Sequence, residues 1–265
     1  MIIIGERING AIPKTAEAIN TRNESYIVDL VQSQEQGGAD YIDVCAGTAT
    51  DIEYETLCWL IDLVQGVASK PICIDSPDPD IIGRVLPKLT KPGIINSVSM
   101  EGKKCEILFP LLQDNPEWQA IALCCDNNGI AGNLEDKVRI ADSLIEIAAK
   151  YDISPDRLHV DPVVLALATA NRSAVEFCGA MTQIKARHPS VNVTAAISNI
   201  SFGMPCRGLL NASFLTLAIS AGLDSAITDP SNRRVSESII AIEALMGNDR
   251  HCRNYNKAYR AGKLR

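Results

Sequence analysis

Seven short polar groups each follow a run rich in Ile and Val. They are Glu6-Arg7-Ile8-Asn9, Asp43, Asp75-Ser76, Asn96-Ser97, Asp126-Asn127, Asp161-Pro162 and Ser198-Asn199. Asp and Asn also cap helices and form turns, so no single position decides the matter. Asp75, Asn96 and Asp161 are the sharper set, because each follows an apolar run directly. Three such groups converging on one mouth make a ring of acceptors with one mixed amide. A carboxylate takes two N–H bonds side by side, and an amide matches one donor and one acceptor. No Lys or His joins them at the end of a run, which argues against an anionic headgroup. The set suits a flat, neutral heterocycle with several N–H groups, and rejects ligands that lack them.

Something must carry these groups to one place. Apolar runs of four to eight residues begin near Ile2, Tyr41, Pro71, Gly93, Trp118, Arg157, Val191 and Asp224. Their length and Ile/Val content suit buried parallel strands. Amphipathic helices separate them. Leu57, Leu60, Ile61, Val64 and Ala68 fall on one helical face, as do Val138, Ala141, Ile145 and Ala148 after an Asn133 cap. A last helix runs from about Val235 through Ile239 and Ile242 to Met246. Eight strand–helix pairs predict an α/β fold, a single closed (β/α)8 barrel of the TIM type. Such a barrel gathers its chemistry at the C-terminal ends of the strands, which is where the polar groups stand. An open doubly wound sheet fits the alternation less well, since no GxGxxG turn follows the first strand.

The 265 residues are expected to form one domain, 1–265, with a basic tail over 249–265. From Arg250 onward there are six Lys or Arg and no carboxylate, yet the whole chain carries a formal net charge of −7. That balance argues against nucleic-acid binding. Nine cysteines without disulfide-like spacing suit a reducing cytoplasm. The N-terminus does not read as a signal peptide, and no run is long enough to span a membrane. Cys124-Cys125 lacks the third soft ligand that a zinc–thiolate centre needs, so no tightly bound metal is expected. His159, His188 and His251 show no ligand spacing.

A pterin is one heterocycle of the kind the acceptor set suits. The stretches Gly5-Glu6-Arg7-Ile8-Asn9, Gly38-Ala39-Asp40-Tyr41-Ile42-Asp43-Val44, Asp75-Ser76, Ile95-Asn96-Ser97, Asp161-Pro162 and Ser198-Asn199-Ile200-Ser201-Phe202-Gly203 occur in order at the expected strand ends. Together they resemble the pterin-binding methyltransferases. The likeness runs from Ile2 to about Met246. It is strongest to the stand-alone methyltetrahydrofolate:corrinoid protein methyltransferases, and extends to the folate module of cobalamin-dependent methionine synthase.

The resemblance implies that Asp75, Asn96 and Asp161 hold the pterin ring. It implies that Asn199 lies at N5, where the methyl is carried, and that Glu6 and Arg207 flank the same pocket. It further implies tetrahydrofolate and 5-methyltetrahydrofolate as substrates, a corrinoid (cobalamin) carried by a partner protein docking at the barrel mouth, and a homodimer. Phe214, Leu215 and Leu217 are candidate apolar residues for the dimer face. Cys45 departs from the pattern, which usually has Asn after Ile-Asp-Val. Two other readings stay open. A dihydropteroate synthase would need cations for a pyrophosphate, but the region after Ser198 offers only Arg207. A non-catalytic folate-binding subunit of a corrinoid complex fits the same residues.

Overall fold

The apolar runs become strands. The computed structural model describes residues 1–264. Its parallel strands begin with β1 (Ile2–Asn9), β2 (Tyr41–Cys45), β3 (Ile72–Asp75), β4 (Ile94–Met100) and β5 (Gln119–Asp126). A two-residue strand, β6 (Gly129–Ile130), folds back antiparallel on β5. The parallel set continues with β7 (Leu158–Asp161), β8 (Asn192–Val193) and β9 (Ser225–Thr228). Every parallel strand starts within one residue of the onset read from the sequence.

The hydrogen-bonded order is β8-β7-β5-β4-β3-β2-β1-β9. The seam between β8 and β9 is short. Asp224 N–H donates to the Val193 carbonyl at 3.0 Å and Ile227 N–H to the Ala195 carbonyl at 2.9 Å. An isolated bridge pairs Ala196 with Ile227. The sheet thus curls into an eight-stranded parallel barrel, as expected.

Helices α1 (Pro13–Asn20), α2 (Glu24–Gly37), α3 (Thr50–Val67), α4 (Pro79–Val85) and α5 (Lys104–Asp114) cover the first half. Helices α6 (Leu134–Ala149), α7 (Ser173–Arg187), α8 (Arg207–Ser220) and α9 (Arg233–Leu245) cover the second. The predicted faces are the buried ones: Leu57, Leu60, Ile61 and Val64 on α3, and Val138, Ala141, Ile145 and Ala148 on α6. Asn133 caps α6 by accepting from Asp136 N–H. Ala68 lies one residue past α3 and is only partly buried.

The tail forms α10 (Arg253–Arg260), with Ala258 and Leu264 buried and Asp249 accepting from the backbone N–H groups of Asn254 and Tyr255. Arg265 of the predicted tail lies outside the described residues. No helix among the described residues is long and apolar enough to cross a membrane.

One expectation is corrected here. Phe214 and Leu215 sit on the inner face of α8, 3% and 0% exposed, and belong to the core. Of the three residues chosen for a dimer face, only Leu217 is exposed.

Two apolar clusters divide the interior. The larger lies between the strands and the helices. The smaller fills the barrel itself with Ile4, Cys73, Ile94, Ile121 and Ile227. At the same level His159 is buried, its Nδ1 2.8 Å from Ser225 Oγ and its Nε2 2.6 Å from Gln119 Oε1. Burial holds the imidazole down at a pKa of about 4. This plug closes the lower barrel beneath the polar C-terminal ends of the strands.

Candidate active site

Strand alternation builds the site. Side chains two residues apart face the same side, so the positions after the plug are Glu6 above Ile4, Asp75 above Cys73, Asn96 above Ile94, Asp161 above His159 and Asp229 above Ile227. All five line one cavity of about 710 Å³. That lies within the range of roughly 300–1,000 Å³ usual for small-molecule sites. The remaining residues chosen from the sequence, Asn199 and Arg207, line it too.

Glu6 and Arg7 owe their placement to an irregularity. Between Gly5 and Ile8 the register of β1 slips by one residue against β2. Arg7 N–H donates instead to Gln34 Oε1 of α2 at 2.8 Å. A Cβ on Gly5 would stand 2.5 Å from that oxygen, so only glycine lets Gln34 approach. The bulge presents Glu6 to the cavity, where its Oε2 accepts from Ser198 Oγ at 2.8 Å. Arg7 reaches Asp229 at 3.2 Å. Burial raises the Glu6 carboxyl to about 7; the Ser198 hydrogen bond opposes this, and the Asp229 charge adds to it.

The floor is a buried acidic layer. Asp43 is 1% exposed and accepts from Asn96 Nδ2 at 3.1 Å. Burial, and then the Asp75 charge, push Asp43 well above the usual carboxylate range. Asp75 rises to about 6 for the same first reason, relieved by a hydrogen bond from the Cys45 thiol and raised by the Glu53 charge. Cys45 thus donates to the floor at the position where the family pattern usually has Asn. Asp161 is 4% exposed and also rises to about 6 through burial. Against that rise work the Val163 N–H, donating at 2.8 Å, the Lys137 charge and the Ala196 N–H.

The opposite wall is a turn. Ile197–Ser201 form a 3-10 turn after β8, and this turn carries Asn199. Arg207, at the start of α8, clamps it: Nε donates to Ser201 Oγ at 3.0 Å and an Nη to the Ser198 carbonyl at 3.0 Å. The guanidinium also lies 4.8 Å from the Phe202 ring centre. The Asn199 amide makes no hydrogen bond among the described residues and is free to meet a ligand.

Other polar groups serve the chain itself. Asp126 accepts from Asn128 N–H and Asn127 from Gly102 N–H, so both organise turns. Asn9 lines the cavity but spends its oxygen on Ala11 N–H. Cys124 and Cys125 are buried, and burial raises both thiols. His188 pairs with Asp142.

Three features went unread in the sequence. Asp43 was seen at a strand end but not assigned to the floor, although it shares inward parity with Tyr41 and Cys45. Lys104 at the start of α5 also lines the cavity, so a lysine borders it even though no Lys or His stands at a strand end. Lys137 is 1% exposed behind the floor. Its spacing four residues before Ala141, on the buried stripe of α6, was the available signal.

The "Pterin binding enzyme" family model matches residues 5–229. The chain belongs to this family. It is 48% identical over 265 residues to a methylcorrinoid:tetrahydrofolate methyltransferase of Eubacterium limosum, covering 100% of this chain and 98% of that one. It is 30% identical over 243 residues to a methionine synthase of Mycobacterium leprae, covering 87% of this chain but only 20% of the synthase. Among solved structures, a dihydropteroate synthase of Coxiella burnetii in complex with pteroic acid superposes with a TM-score of 0.65 at 14% identity. That match covers 92% of this chain and 93% of the synthase, and at that identity it speaks for the shared barrel alone.

Proposed function

We propose that this pterin-family enzyme is a methyltransferase that moves a methyl group between N5 of tetrahydrofolate and the cobalt of a corrinoid carried by a separate protein. One observation carries the reading. Asp75, Asn96 and Asp161 face one cavity on a chain that is 48% identical throughout its length to a methylcorrinoid:tetrahydrofolate methyltransferase.

Asp161 and Asp75 accept the amino and ring N–H groups of the pterin, while Asn96 offers an amide to its mixed edge. Asn199 lies toward N5. A methyl on N5 leaves easily only when that nitrogen gains a proton, and a neutral amide oxygen supports the positive charge that develops. In the reverse direction the same amide orients the attacking N5. Glu6, with a pKa of about 7, holds a proton for part of the neutral range and touches the turn that carries Asn199 through Ser198. Arg207 keeps that turn in place. The cobalt arrives with its partner at the barrel mouth, so this chain contributes position and electrostatics. The homodimer is part of the proposal, with Leu209 and Leu217 of α8 as exposed apolar candidates.

The test combines the protein with tetrahydrofolate and methylcobalamin without oxygen. Formation of 5-methyltetrahydrofolate with loss of the methyl–cobalt absorbance is expected. Tight tetrahydrofolate binding without transfer, to methylcobalamin or to a methylated corrinoid protein, would leave a folate-binding subunit. Condensation of a dihydropterin pyrophosphate with p-aminobenzoate would return the protein to the synthase reading.

A further inference from the structure

Behind the floor sits a cation that no part of the proposed chemistry uses. Lys137 of α6 is 1% exposed, and its Nζ donates to the Pro162 carbonyl at 2.6 Å and to the Val163 carbonyl at 2.6 Å. An ammonium removed from water is costly unless its donors are satisfied. Here two donors grip consecutive carbonyls of the loop after β7. Val163 adopts φ +56°, a left-handed conformation that a β-branched residue rarely takes. In that conformation its N–H turns back to Asp161 Oδ1 at 2.8 Å. The carbonyl held by Lys137 and the N–H held by Asp161 therefore belong to the same strained residue.

We infer that Lys137 is a positioning residue of the pterin site: it holds the Pro162–Val163 turn, and through it fixes the Asp161 carboxylate toward the cavity in its charged form. The folate part of this inference rests on the function proposed above.

The surroundings support an electrostatic role as well as a mechanical one. The titratable groups facing Lys137 are Asp161 on β7, then Cys124 on β5, whose buried thiol stays neutral, and Glu176 on α7. The groups facing Asp161 are Lys137 and the N–H groups of Val163 and Ala196, with Cys124 nearby. All three partners of Asp161 favour its carboxylate, and Lys137 is the one that carries charge. Without it, Asp161 would take up a proton at higher pH and present a donor where the pterin also presents donors.

The experiment compares Lys137→Met, which keeps the length of the stem, with Lys137→Arg, which keeps the charge and the donors. In ligand-free protein, the Asp161 carboxyl carbon is titrated by ¹³C NMR, assigned by its loss in Asp161→Asn. The midpoint should rise in the Met variant and stay near the parent value in the Arg variant. Tetrahydrofolate affinity at neutral pH should fall by about tenfold in the Met variant and recover largely in the Arg variant. An unmoved Asp161 midpoint in a folded Met variant overturns the inference. So does an Arg variant as impaired as the Met one, or a loss of folding in both, since either would make Lys137 a matter of core packing. Should the parent protein fail to bind tetrahydrofolate, the proposed function falls while the ligand-free titration still decides the role of Lys137.

Discussion

Ile4, Cys73, Ile94, His159 and Ile227 close the lower barrel; two residues further along the same strands, Glu6, Asp75, Asn96, Asp161 and Asp229 open onto the cavity. Apart from the β1 bulge that presents Glu6, the backbone and the facing are the same, so the difference lies in side-chain chemistry. The lower layer fills space and satisfies its one imidazole on both sides. In the upper layer Glu6, Asp75 and Asp161 are carboxylates whose pKa values rise for want of water. Stability is thus invested at one end, and at the other end some of it is given up to keep acceptors ready for a ligand. Within the upper layer a second contrast follows. The floor stands on strand ends, whereas Asn199 rides on a turn pinned by Arg207.

The contrast between floor and turn breaks most easily at Asn199. Asn199→Ala is expected to lower the single-turnover methyl-transfer rate by about 30- to 1,000-fold, the cost of losing one preorganised polar group. Tetrahydrofolate affinity should change far less. Stopped-flow rates set beside equilibrium titration check this, and equal losses in both would make Asn199 another wall of the pocket.

Asp161→Ala should act the other way, with affinity as its first casualty. Losing a charge-assisted hydrogen bond of about 2 kcal/mol weakens tetrahydrofolate binding roughly thirty-fold. The same carboxylates set a pH dependence. Asp75 and Asp161 take protons near pH 6, so affinity should hold above that pH and decline below it. Calorimetric titration from pH 5 to 8 reads both effects, and a pH-independent affinity would remove the two carboxylates from the recognition of N–H groups.

The contrast between the two ends is sharpened by Asp75→Asn, which should bind folate poorly yet melt higher. With a folded pKa of about 6 against 3.8 for the free group, Asp75 holds its proton more tightly when folded. Its contribution therefore becomes unfavourable as pH rises from 3.8 to about 6, and stays so at neutrality. Removing the charge should add about 1–2 kcal/mol at pH 7, read from denaturant midpoints. A destabilised Asn variant would contradict the trade-off.

The smallest effect is expected from His159→Gln in the plug. The folded imidazole pKa of about 4 lies below its ordinary 6.5, so the parent loses stability as pH falls from 6.5 toward 4. The variant lacks that loss. The parent should therefore lose more stability than the variant over that range, by on the order of 1 kcal/mol, while folate binding at neutral pH is unchanged. A variant that binds folate poorly would erase the functional distinction between the two ends.

The barrel was legible because its strands are short, apolar and regularly spaced, and because the pleat has a fixed period of two. That is why Asp75, Asn96 and Asp161 could be aimed from sequence at a common mouth, whereas Glu6 was placed there by the family resemblance. What stayed hidden depends on packing between distant segments. The bulge in β1 needs Gln34 from α2 and a bare Gly5, which no local pattern announces. Lys137 lies on the buried stripe of α6, but what it grips shows only once α6 is docked against β5 and the loop after β7. Phe214 and Leu215 look like a surface pair until α8 is seated, because a helix so apolar on all sides does not reveal which face turns inward.

The most direct test is the structure of the protein with 5-methyltetrahydrofolate bound. The pterin ring is expected in the barrel mouth, with its N–H edge on Asp75, Asn96 and Asp161 and its N5-methyl facing Asn199 and the open solvent. A ligand seated outside this cavity, or one whose N5 is turned away from Asn199 toward the floor, would contradict the account.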